Sequence, residues 1–308
     1  MSADPKASSA SPLQDGAPQV LGRLLAGASL EMSPGHPEEV RSFAALLPAG
    51  ARVYVPHLPG HALEQSHAAL KAIRAAGFEP VAHVAARRLA SRAELTAFLE
   101  RAAAEAGLSN VLALGGDEPQ QRGPYASAAE MLREGTLPGY GIRQVGLAGY
   151  PEGHPRIPPA VIEQALAQKV ALLADQGLVV DVVTQFSFAP AQVAEYCAQL
   201  ERKFPRIPVH VGLAGPTDAA TLMRFAQRCG VIASLRTLRA QGLGAMRLIT
   251  HADPTEQLDT IARHCLGRRA CNVAAVHLYS FGGARKTAAW IGEQIARAGL
   301  AARGESPR

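Results

Sequence analysis

The feature that most constrains this chain is a rhythm. Eight short apolar segments recur along it, separated by stretches with helical spacing. They read RLLAGASLEM (23–32), RVYVPHL (52–58), EPVAHVAA (79–86), NVLALGGD (110–117), QVGLAGYPE (144–152), LVVDVVTQFSF (178–188), IPVHVGLAG (207–215) and NVAAVHLYSFGG (272–283). All are rich in Val, Leu, Ala and Ile and stop at Gly, Pro or Asp, as buried strands do. Between them, PEEVRSFAALL places Val40, Phe43, Ala44 and Leu47 on one helical face behind an acidic first turn. SRAELTAFLERAAAEAG opens on Ser91 with Glu94 three residues on, a capping box, and Gly107 supplies its stop. PAVIEQALAQKVALLADQG and PAQVAEYCAQLERKF are further helices. Strands alternating with helices imply a parallel sheet covered by helices. Eight such units in about 280 residues fit a (β/α)8 TIM barrel better than an open doubly wound sheet. The longer interval between segments seven and eight predicts extra helices near 217–228 and 254–266.

We therefore expect one catalytic barrel over residues 20–300, a disordered tail over 1–19 and a loose tail over 301–308, with no appended domain. The first tail is rich in Ser, Ala, Pro and Asp and lacks the apolar stretch of a signal peptide. No uninterrupted apolar run reaches the roughly 18 to 20 residues of a membrane span, so no membrane partner is expected. The net charge of +5 comes from arginines scattered over helices, such as Arg87, Arg88, Arg92 and Arg101. A nucleic-acid surface would concentrate them in a stripe with interleaved aromatics, so no nucleic-acid partner is expected either. Cys197, Cys229, Cys265 and Cys271 lack the spacing of a zinc knuckle or redox motif and read as small apolar residues of a reduced, cytoplasmic protein. A homo-oligomer is compatible with the sequence.

Familiar motifs are missing. There is no Walker A, HExxH or G-x-S-x-G, and the one G-x-G, in QGLGAM (241–246), follows no strand and reads as a loop. The histidines are too dispersed for a metal cluster; the near pair His57 and His61 sits in a Pro/Gly loop. The barrel reading suggests another place to look, because active sites of this fold lie at the C-terminal strand ends. Glu31, His57, His83, Asp117, Tyr150, Glu152, His154 and Gln185 all fall there. Gly115 and Gly116, without Cβ atoms, let the backbone before Asp117 turn or approach a ligand.

Four segments, LALGGDEPQ, PYASAAEML, AGYPEGHP and VVTQFSF, resemble in their order the methylenetetrahydrofolate reductases. Members of that family carry Leu-x-Gly-Asp-Pro-Pro, Tyr-Ala-Ser, Tyr-Pro-Glu-x-His-Pro and Thr-Gln-Phe-x-Phe segments. The last two are the specific ones, and the resemblance extends over residues 24 to 290. It implies bound FAD, NAD(P)H as co-substrate and a tetrahydrofolate substrate, with a hydride passed through the flavin between the methylene and methyl folates.

Residue by residue, the resemblance makes Glu31 the general acid that protonates a folate nitrogen as the five-membered ring opens. A carboxylic acid shielded from water keeps its proton near neutral pH. Asp117 matches the aspartate beside flavin and pterin. Gln185 matches the glutamine that hydrogen-bonds the folate ring, and Phe281 is placed with it at the substrate. His83, Gly116, Tyr125, Ala126, Ser127, Ala148, Tyr150 and His154 match positions that line FAD, and Lys169 is the candidate partner of its pyrophosphate. The departures are LEMSPG in place of Glu-Phe-Phe-Pro-Pro, Gly115 and Gly283 in place of arginines, with Arg285 close by, and Ala219 in place of a phenylalanine. They fall at the cofactor edge and the stacking face. NADH and NADPH, and the reductive and oxidative directions, stay open. So do a flavin- or folate-binding barrel without reductase activity and a pterin methyltransferase.

Overall fold

The computed structural model describes residues 16–231, 253–268 and 271–302. Most of the two expected tails and the QGLGAM loop lie outside them. Eight parallel strands close into a barrel in sequence order: β1 (Ser29–Glu31), β2 (Arg52–Val55), β3 (Glu79–Ala85), β4 (Asn110–Leu114), β5 (Gln144–Gly149), β6 (Val179–Thr184), β7 (Val209–Ala214) and β8 (Val273–Tyr279). Ser29 of β1 pairs with His277 of β8 and closes the ring. Helix α1 (Ala17–Ala26) precedes β1. The later strands are followed by α2 (His67–Ala75), α3 (Arg92–Ala106), α4 (Ala128–Arg133), α5 (Pro159–Asp175) and α6 (Pro190–Lys203). Both α7 (Ala219–Arg228) and α8 (Thr255–Cys265) lie between β7 and β8, and α9 (Ala284–Ala302) follows β8. The expected barrel and its extra helices are present. No helix among the described residues is long and apolar enough to cross a membrane.

Two elements differ from the sequence reading. Residues 23–32 were expected as a strand, but Arg23 to Ala26 end α1, and β1 is only Ser29–Glu31. A short apolar run does not by itself distinguish a strand from a buried helix, and here Leu24 and Leu25 bury as helical residues. The expected helix over PEEVRSFAALL is a 3-10 helix, Pro37–Ser42. Val40 and Phe43 still bury as anticipated. A 3-10 turn rises about 2.0 Å per residue against about 1.5 Å in an α-helix, which suits a short crossover between Pro37 and Pro48. The capping box of α3 is as expected. Ser91 Oγ accepts from Glu94 N at 3.0 Å, and Gly107, at φ 58°, turns the chain out of the helix.

The main core lies between the barrel wall and the helices, filled by Leu, Val, Ile and Phe side chains. The inward faces carry different chemistry, because strand side chains alternate. At mid-height Tyr54, Val81, Leu112 and Val183 pack together. Below them, near the strand N-termini, Asp181 is bound by Arg52 (3.1 Å), His210 (3.3 Å) and Gln144 (2.5 Å). Burial alone would raise the Asp181 pKa. His210, then Arg52 and Gln144, outweigh that and hold it below its ordinary value.

The ionised form of Asp181 is thus favoured by folding. Its contribution is complete above the unfolded-state pKa and is lost as pH falls through the lower folded-state value. We expect Asp181→Ala, which leaves Arg52 without its carboxylate, to lose about 3–5 kcal/mol at neutral pH. Urea unfolding measures this, and a loss below about 1 kcal/mol would remove the network from the account of stability.

Candidate active site at the barrel mouth

The β1 terminus brings a carboxyl into the barrel lumen. Glu31 Oε1 lies 3.6 Å from His83 Nε2 on β3 and 3.8 Å from His277 Nε2 on β8. Both contacts are longer than hydrogen bonds, and neither imidazole Nε2 has any hydrogen-bond partner. His277 Nδ1 shares a 2.9 Å hydrogen bond with Ser29 Oγ. Tyr54 supports both rings edge-on, with centroids 4.5 Å from His277 and 5.9 Å from His83. Ser29 and Tyr54 thus hold the His277 ring with its Nε2 toward Glu31.

Burial is the largest influence on Glu31 and pushes its pKa up. The contact with His277, and the charge that His83 and His277 can carry, more than reverse it, so the carboxyl titrates below its ordinary value. Burial also drives His83 down to about 4, so at neutral pH His83 is uncharged. The sequence reading expected an acid that keeps its proton; two imidazoles within 4 Å are the reason it does not. The sequence does not single out His277 as a site residue. Its signal was the histidine in the apolar run VAAVHLY, two residues before a Tyr at a strand end.

Asp117 sits in the loop after β4. Its side chain is 75% exposed and lies 3.6 Å from Arg156. The loop is held from behind by Arg87, which donates to the carbonyls of Glu118 (2.8 Å), Pro119 (2.8 Å) and Ala126 (3.0 Å). Arg88 pairs with Glu118 and with the His57 carbonyl. Gly116 takes φ +97°, which disfavours any residue with a Cβ, whereas a Cβ on Gly115 would meet nothing within 4 Å. Gly115 thus leaves an open face and Gly116 turns the chain. Tyr150 directly follows β5, and its ring meets His154 edge-on at 5.5 Å.

Gln185 follows β6. Its Oε1 accepts from Phe186 N at 3.1 Å. Cys229 ends α7, and burial, then the carboxylates of Glu31 and Asp117, push its thiol up to about 12. Glu31 ends β1, Asp117 follows β4 and Gln185 follows β6, so the closed parallel barrel brings all three to the same rim. Phe281 stacks on Phe225 of α7, with centroids 4.1 Å apart and planes 12° apart, and also meets Phe186 at 5.1 Å. The end of α7 thus covers the rim beside Phe281.

The remaining residues divide. Ser127 caps α4 through Glu130 N (3.2 Å), and Ala126 N donates to Glu130 (2.7 Å), so this segment borders the mouth as a rigid turn. Ala148 lines the inward face of β5, in register with Val183 of β6. Tyr125 is not an open rim group: its ring is in the core and its hydroxyl donates to Glu134 at 2.6 Å. Lys169 is not a solvated helix lysine. It shares the inner side of α5 with Leu166 and Leu173, burial brings its pKa down to about 8, and no described residue accepts from its amine. Helical side chains lean toward the helix N-terminus, which directs this amine toward the rim. His57 is structural, its ring bonded to Ala85 N and the His61 carbonyl. Among the described residues no group of His, Cys, Asp and Glu could hold a metal ion.

The family model of methylenetetrahydrofolate reductase matches residues 41–238. The chain belongs to the methylenetetrahydrofolate reductase family. The match includes the loop with Asp117, the Tyr-Pro-Glu segment and Gln185, whereas Glu31 and β8 lie outside it and enter through geometry. A solved structure of an uncharacterized protein from Clostridium thermocellum, which binds two copies of 5-methyl-5,6,7,8-tetrahydrofolic acid, superposes with a TM-score of 0.59 at 10% identity, covering 92% of this chain and 98% of that one. Mycobacterium tuberculosis tryptophan synthase gives 0.47 at 15% identity, with 94% and 99% covered. At such identities the likeness concerns the fold.

An FAD fits the donor set on the β3–β6 arc of this family member. Gly115 leaves a face open, Asp117 is exposed, and the Lys169 amine is unclaimed. Keeping that arc in place falls to Arg87. We expect Arg87→Ala to raise opening of the 115–126 loop on the order of tenfold or more, since charge-assisted bonds to three carbonyls are lost. Limited trypsin cleavage after Arg122 reads this out; an unchanged rate would remove Arg87 as the support of the loop.

Proposed function

We propose that this chain is a flavin-dependent oxidoreductase that interconverts 5,10-methylenetetrahydrofolate and 5-methyltetrahydrofolate, with NAD(P)H as electron donor. The observation that carries the reading is the Glu31 carboxyl between His83 and His277, at the mouth that also holds Asp117 and Gln185. Family membership supports it, and a protein with the same barrel binds 5-methyltetrahydrofolate.

FAD, when bound, supplies the two-electron carrier that passes a hydride between nicotinamide and the one-carbon unit. Gly115 and Gly116 would give its ring system a backbone edge without Cβ atoms, and Asp117, His83, Ala148, Tyr150 and His154 would hold that ring, with Ala126 and Ser127 beyond. Lys169 would pair with its pyrophosphate. Gln185 has a donor and an acceptor for the pterin amide edge, and Phe281 offers its face once the Phe225 stack yields.

Glu31 handles the proton. Its side chain is 18% exposed, and desolvation is already the strongest influence on it. A folate covering the mouth removes that remaining water and shifts the balance toward the protonated acid. Glu31, once protonated, delivers its proton to the folate nitrogen as the ring opens.

The test is anaerobic and spectroscopic. The purified protein should be yellow, and bleaching by NADH, NADPH or 5-methyltetrahydrofolate identifies donor and direction. Glu31→Gln should leave bleaching by the nicotinamide within about twofold and slow the folate half-reaction about 10²–10⁴-fold. A colourless protein that binds no FAD would overturn the flavin reading, and full folate turnover in Glu31→Gln would overturn the acid.

A further inference from the structure

At the end of the barrel away from the mouth, two cysteines meet. Cys265 is the last residue of α8, and Cys271 stands two residues before β8. Their sulfurs are 3.1 Å apart with no bond between them. Arg268 N donates to the Cys265 carbonyl and Cys271 N to the Arg268 carbonyl, while Gly267 takes φ +69°. Closing a disulfide of about 2.05 Å needs the sulfurs to shift by only about 1 Å.

The surroundings make the two thiols unequal. Cys265 is buried, whereas Cys271 is partly exposed. The guanidinium of Arg23 reaches the Val273 carbonyl at 2.8 Å, next to Cys271. The two thiols share one hydrogen bond, the main reason the Cys271 thiol is held below its ordinary value against its own burial, with Val273 N–H and Arg23 adding to it. Cys265 is raised by the same shared bond and by burial. The more exposed sulfur is thus the one that favours the thiolate, in contact with a buried thiol, which is the arrangement of an attacking and a resolving cysteine.

We propose that Cys265 and Cys271 form a redox-active dithiol, a modification site that hydroperoxides oxidise to an intramolecular disulfide and small or protein dithiols reduce. In the first step the Cys271 thiolate attacks the peroxide O–O bond, giving a sulfenic acid and releasing hydroxide. In the second the Cys265 sulfur displaces the sulfenic oxygen, its own proton leaving with it as water, so that two electrons pass from the two thiols to one peroxide. Reduction by a dithiol returns both thiols. Neither residue belongs to the candidate active site, so this inference stands apart from the folate reading.

Hydrogen peroxide on the full-length protein tests it. Thiol titration in denaturant should count four before treatment and two after, and dithiothreitol should restore four. A non-reducing tryptic digest should yield peptide 264–268 linked to 270–285. In Cys265→Ser the same treatment should leave a Cys271 sulfenic acid that dimedone traps, while Cys197→Ser should still lose two thiols. Four thiols persisting after peroxide, or a linkage through Cys197, Cys229 or a second chain, would overturn the proposal.

Discussion

The site depends on a carboxyl placed where a barrel core would otherwise be apolar. Glu31 ends the shortest kind of strand, three residues long, and its side chain enters the lumen because strand residues alternate inward and outward. A buried, unpaired carboxylate is too costly to keep. Two imidazoles meet that cost, one from the neighbourhood of β3 and one from β8. Both are themselves buried with an unsatisfied Nε2, so the three groups are matched to one another and to little else. Ser29 and Tyr54 then fix the His277 ring from below and from the side.

Around that point the rim has a fixed half and a covered half. From β3 to β5 the loops are held by Arg87 and Arg88, whose guanidinium groups are spent on backbone carbonyls and Glu118. From β6 to β8 the surface is aromatic, with Phe186, Tyr279 and Phe281 under the Phe225 of α7. The rigid half suits a resident cofactor and the covered half suits a substrate that comes and goes. Gly230 packs so closely on Pro155 that an added Cβ would lie 2.7 Å from its Cγ, which ties the end of α7 to the loop after β5.

Much of this was legible in the sequence. Eight apolar segments implied eight strands, and the caps at Ser91 and Gly107 set the limits of α3. The Gly-Gly-Asp, Tyr-Pro-Glu and Thr-Gln-Phe segments marked three strand ends that do share a mouth. What could not be read came from contacts distant along the chain. His277 meets Glu31 only because the last strand closes on the first. The Glu31 pKa then moved opposite to expectation, since burial was visible in principle but the second imidazole was not. Tyr125 looked like a ligand residue yet went to the core, where Glu134 satisfies its hydroxyl. Cysteine spacing gave no warning of the Cys265–Cys271 contact, because no motif produces it.

The central claim is that Glu31 is ionised in the free protein and takes up a proton when folate covers the mouth. Infrared difference spectroscopy at neutral pH, with and without 5-methyltetrahydrofolate, measures this directly. The account predicts a protonated-carboxyl band that appears on binding and is missing in Glu31→Gln. A band already present without ligand, or one that survives the substitution, would contradict it.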